Sequence, residues 1–155
     1  MKTLKRFIVE KLHIGKNIKV VKDVLLNVGE YIGIFSFDHF YEHISITSPL
    51  KFNGYDSNTK TLSIMNGIGS ISEYENVYVN DKGYYVALSD PKEKYIYKLF
   101  LSVDDSIELM ENLRNDNMDA LDDYLDGSFK WEQKIKTYDA RISFNLLHSY
   151  KSLKK

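Results

Sequence analysis

Cysteine is absent from the 155 residues, which excludes a disulfide framework and any thiolate metal cluster. Proline occurs only twice and glycine eight times, and no Pro- or Ser-rich linker, low-complexity tract or internal repeat interrupts the chain. Apolar runs are a few residues long, far short of the roughly 20 that cross a bilayer as a helix. The N-terminus also lacks the apolar core of a secretory signal. These absences predict a soluble protein, intracellular while it is made, with no membrane partner. At this length one domain can bury an ordinary core.

Charge of one sign is also lacking overall, since the formal net charge is -1. That total hides blocks. Residues 1–22 carry +6, residues 23–103 carry -4, residues 104–126 carry -8 and residues 128–155 carry +5. Phosphate affinity rises with the number of cations presented together. The block pattern therefore argues against a uniformly basic nucleic-acid binder, and against direct nucleic-acid binding unless the two basic ends meet in space.

The spacing predicts an amphipathic helix within residues 1–14, Thr3 to Ile14, with Leu4, Phe7, Ile8 and Leu12 on one face. Gly15 follows where a helix commonly stops. So short a helix is marginal alone and needs a surface to fold against. Residues 16–155 then form a single α+β domain. Its predicted strands are Lys19–Val21, Tyr31–Phe37, His43–Thr47, Thr61–Met65, Glu75–Asn80, Tyr84–Ser89 and Tyr95–Leu101, an antiparallel meander of six or seven. Asn80-Asp81-Lys82-Gly83 and Ser89-Asp90-Pro91-Lys92 read as turns. An acidic helical pair follows, Asp104 to Leu113 and Met118 to Asp126. Phe129, Trp131, Gln133 and Ile135 alternate as a strand, more as core than as a base-stacking platform. Arg141–Leu153 fits a strand, a helix, or one passing into the other.

Three short motifs invite chemistry. His39-Phe40-Tyr41-Glu42-His43 spells the H-x-x-E-H zinc signature, in which two imidazoles one helical turn apart hold the metal and the carboxylate activates water. Wedged between predicted strands, His39, Glu42 and His43 read instead as a turn, without metal or other cofactor. Asn66-Gly67-Ile68-Gly69-Ser70 has the glycines of a phosphate loop but no helix after it, and reads as a strand connection. Asp122 to Gly127 fails as a calcium loop, because Tyr124 and Gln133 fall where carboxylates are required. No nucleophile elbow or His/acid pair is legible, so no catalytic residue is assigned and the chain is read as a non-enzyme.

Met1-Lys2-Thr3, Phe7-Ile8 and Glu10 together resemble the N-terminal capsid-targeting peptide of internal head proteins of T-even-type tailed phages. Ile8-Val9-Glu10 also resembles the (Leu or Ile)-any-Glu signal cut by the prohead protease of those phages. The resemblance covers ten residues. It implies a virion-associated protein, packaged head cargo or a minor structural component, present in the host cytoplasm during assembly. Leu4, Phe7, Ile8 and Leu12 would dock on phage scaffold, capsid or other virion proteins. Ile8, Glu10 and Lys11 would be read by the protease, with cleavage before Lys11. Some proteins of this kind protect injected DNA from host restriction enzymes, which adds a host enzyme as partner. The acidic face Asp104, Asp105, Glu108, Glu111, Asp119, Asp122, Asp123 and Asp126 would then imitate a phosphate backbone. The same face also fits a small β-rich binding or nuclease-inhibitor protein. A metal-dependent hydrolase at His39/His43 is the enzyme alternative.

Overall fold

The computed structural model describes residues 26–38, 42–131, 135, 137–138 and 140–154. The amphipathic segment 1–14 and the predicted strand Lys19–Val21 lie outside the described residues. Within them the chain is α+β. Eight strands come first: β1 (Tyr31–Asp38), β2 (His43–Ile46), β3 (Leu50–Asp56), β4 (Thr61–Met65), β5 (Ile71–Tyr74), β6 (Val77–Val79), β7 (Tyr85–Leu88) and β8 (Ile96–Ser102). Helix α1 (Val103–Arg114), a 3-10 helix (Met118–Asp123), the two-residue β9 (Thr137–Tyr138) and helix α2 (Ala140–Ser152) complete it.

The sheet is not a plain meander. Its order is β5-β4-β3-β1-β8-β7-β6, with β2 on β1 and β9 parallel to β2. β1 is long enough to be shared. Its first residues, Tyr31 and Ile32, pair with β3, and Phe35 to Asp38 pair with β2. Its other edge carries β8 from Ile32 to Ser36. The meander expectation follows from chain order, whereas the pairing of β1 with β8 joins residues more than sixty positions apart. β3 and β5 have no counterpart among the predicted strands, because Asn53-Gly54 and Ser72-Glu73 break the apolar alternation. The second acidic helix is a 3-10 helix that stops at Asp123. The described residues of the alternating Phe129–Ile135 segment include a bridge, Lys130 to Tyr95. The ambiguous Arg141–Leu153 stretch resolves as helix as far as Ser152.

Alternation along β1 builds two cores. Ile32 and Ile34 face one way, with Phe52, Leu62, Ile64, Val77, Tyr85 and Phe100. Phe35 and Phe37 face the other, with Leu99, Leu101, Leu109, Met110, Leu113, Leu121 and Tyr150. The second core is a sheet face covered by helices. The first is a sheet curled on itself. Tyr55 reaches the ring of Tyr85 at 4.9 Å, Tyr74 that of Phe100 at 5.5 Å, and the Tyr55 hydroxyl donates to the Val77 carbonyl at 2.6 Å. β3, β4 and β5 thus fold over β7 and β8, leaving a concave inner face. Each large side chain so buried contributes about 1.5–3 kcal/mol.

Gly33 sets how closely the helices approach. A Cβ there would lie 2.6 Å from both Ser106 Oγ and Tyr150 Oη. Tyr150 is fully buried and donates to the Thr47 carbonyl at 2.7 Å, which pins α2 to the sheet.

Candidate functional site

The acidic face is only partly a free surface. Ser102 caps α1, its hydroxyl accepting from the Asp105 N–H at 3.3 Å, and Asp104 and Asp105 occupy the first turn, where negative charge suits the macrodipole. Asp104 is ion-paired with Lys154 and Glu111 with Lys151, each at 3.0 Å. Asp126 is spent on folding. It accepts from the backbone N–H of Lys82 at 2.9 Å and of Ser128 at 2.7 Å. Burial opposes its ionisation, but hydrogen bonds from Ser128, Lys82 and Asp81 outweigh that and hold its carboxyl below the usual range. Glu108, Asp119, Asp122 and Asp123 remain exposed. Lys82 Nζ also donates to the Asp122 carbonyl, which ties the β6–β7 turn to the 3-10 helix.

Beside that row, Arg114, Asn145, Leu147, His148 and Lys151 line a groove of about 520 Å³ between the end of α1 and α2. The helical surface therefore presents carboxylates next to cations. Tyr124 lies beneath, its hydroxyl donating to the Asp105 carbonyl at 3.4 Å. Burial, then Asp105 and Glu108, push its ionisation far above the ordinary tyrosine range.

The zinc-like motif is not a helical pair in its described part. Glu42 has φ 57° and His43 begins β2, so the two residues belong to a turn and a strand. His39 lies outside the described residues. Among the described residues no group of three or more His, Asp or Glu is arranged to hold a metal. The glycine-rich loop connects β4 to β5. Asn66 Oδ1 accepts from the N–H of Ile68 at 3.1 Å and of Ser70 at 2.9 Å, and Gly69 takes φ 85°. Its amides are turned toward its own side chain. Trp131 packs edge-on against Phe37, with 5.9 Å between ring centroids.

Leu4, Phe7, Ile8, Glu10, Lys11 and Leu12 lie outside the described residues.

A second constellation was not legible in the sequence. Along β1 the inner face changes from Ile32 and Ile34 to Ser36 and Asp38. Register places Ser45 opposite Ser36, His43 opposite Asp38, and Lys98 on the other side of Ser36. Directly opposed Cβ atoms on one face lie about 5 Å apart. Between Ala87 and Leu88 the register with β8 slips by one residue. That bulge puts Tyr97 beside Lys98, and Tyr97 packs against the inner core. Lys98 Nζ donates to Ser36 Oγ at 2.8 Å and stands 5.7 Å and 5.3 Å from the ring centroids of Tyr74 and Tyr97. Burial lowers the ammonium below the usual lysine range. Burial likewise raises the Tyr74 and Tyr97 hydroxyls, with Tyr97 and Glu75 respectively adding to it. All of these side chains except the exposed Glu75 are half-buried at the mouth of the concave face. A polar residue at alternate positions of a predicted strand was the available signal, but it reads equally as a solvent face.

No protein-family model, curated protein or solved structure matches the chain.

Proposed function

We propose that this chain is a phage virion-associated protein, packaged cargo or a minor structural component of the head, that acts by binding protein. The observation that carries the reading is the decapeptide Met1–Glu10, with its Met-Lys-Thr start, Phe7-Ile8 and Ile-Val-Glu ending. On this reading Leu4, Phe7, Ile8 and Leu12 dock on scaffold, and the prohead protease cuts before Lys11. The released chain loses three cations and one anion and carries formal charge -3.

The helical surface supports a protein partner. Glu108, Asp119, Asp122 and Asp123 are exposed on the same helical segment from which Glu111 and Asp104 meet Lys151 and Lys154, and Arg114 and Lys151 line the groove. Alternating sign orients and selects a partner protein, where a phosphate backbone asks for cations alone. The exposed carboxylates of the 3-10 helix favour a second reading, an inhibitor that offers them to a host enzyme.

Mass spectrometry of purified phage particles whose genome encodes this chain tests the first reading. A polypeptide beginning at Lys11 is expected, and the full-length mass is expected when Glu10 is replaced by Ala. Absence of the chain from the particle overturns the proposal.

A further inference from the structure

We propose that the mouth of the concave face, formed by Lys98, Ser36, Ser45, Tyr74 and Tyr97, is a binding site for a tetrahedral oxyanion, the phosphate of a small phosphomonoester. The proposal is independent of the virion reading and rests on donors gathered at one place. Lys98 carries three N–H donors. One is used on Ser36 Oγ, and among the described residues no carboxylate forms an ion pair with the other two. The aromatic rings at its flanks offer the ammonium a quadrupole. Ser45 stands opposite Ser36 across the β1–β2 pair, adding a hydroxyl on the same face. The Tyr74 and Tyr97 hydroxyls add two more donors from β5 and from the β8 bulge.

The donor set favours phosphate over a planar carboxylate. A carboxylate is best met by the fork of an arginine, whereas lysine acts as a point charge that accepts any oxygen geometry. Hydroxyl donors rotate to suit. Two carboxylates are near enough to matter. Asp38 lies one strand repeat along β1, roughly 7 Å from Ser36, with His43 opposite it, and Glu75 acts on Tyr97. Neither forms an ion pair with Lys98 among the described residues, and burial lowers that ammonium. A half-buried cation that no carboxylate among the described residues pairs gains most from an anion that enters from solvent.

Titration of the full-length, isotopically labelled protein with inorganic phosphate, followed by NMR, tests the site. The expected result is a saturable shift of Ser36, Ser45, Tyr74, Tyr97 and Lys98 resonances together, with a dissociation constant of about 1 mM or tighter. Lys98→Gln is expected to weaken binding about tenfold or more, and Ser45→Ala to weaken it by a smaller factor. Lys92→Gln, which removes the same charge from an exposed turn, is expected to leave it unchanged. Shifts that map elsewhere, fail to saturate, or persist equally in Lys98→Gln and Ser45→Ala overturn the proposal. Sulfate binding as well as phosphate supports a tetrahedral site, and acetate binding more tightly than either counts against it. Should Lys98→Gln fail to fold, the shift map of the unsubstituted protein and Ser45→Ala still decide.

Discussion

Gly33 is needed for the space above it, not for its backbone angles. Ser106 and Tyr150 sit where a methyl group would be, and Tyr150 is held by its bond to Thr47. Gly33→Ala is therefore expected to destabilise the fold by about 1–3 kcal/mol, the usual cost of overpacking. Chemical denaturation would measure it, and an unchanged midpoint would show that α2 moves freely. Asp126 offers a different lever. Its folded carboxyl is held below the unfolded value, so its contribution is present above the ordinary aspartate range and fades as pH falls through the depressed value. The expected outcome is that Asp126→Asn flattens the acid side of the stability–pH curve. Equal slopes in both proteins would remove Asp126 from the account. Neither role is visible in sequence. Gly33 reads there as one more residue in an apolar run, and Asp126 as one more acid in a charge block.

At the scale of elements, the interface between α1 and α2 rests on burial more than on charge. Leu147 and Tyr150 enter the core shared with Leu109, Met110 and Leu113. The ion pairs Glu111–Lys151 and Asp104–Lys154 join side chains that are about half exposed or more. Exposed pairs are worth little, since solvent screens them and ordering two long side chains costs entropy. Glu111→Gln and Asp104→Asn are each expected to change stability by less than about 1 kcal/mol. Thermal unfolding at low and high salt would check this, and a large salt-dependent loss would contradict it. Periodicity located α1 and the strands Thr61–Met65 and Tyr31–Asp38 closely, because in each one face is apolar throughout. It missed β3 and β5, where Gly54 and a run of exposed residues hide the period. It also split residues 141–153 between strand and helix, since spacings of two and of three to four share positions over so short a stretch.

Across the whole molecule, β1 is the axis. It pairs with β2, β3 and β8 and gives side chains to both cores. Native-state hydrogen exchange is expected to be slowest in β1, β8 and β7 and faster in β5, an exposed edge strand. Slower exchange in β5 than in β8 would contradict this architecture. Composition and period determined the class of the protein by themselves. They established an α+β chain without disulfides and a charge pattern in blocks. Those are local properties, carried by neighbouring residues and unaffected by how distant segments meet. The pairing of β1 with β8, the curl that closes the inner core, the partial neutralisation of the acidic face and the meeting of Lys98 with Ser36, Ser45, Tyr74 and Tyr97 were decided only in three dimensions. Each joins residues far apart in the chain. Which such pairs meet depends on the total burial that competing arrangements achieve, and no window of sequence contains that sum.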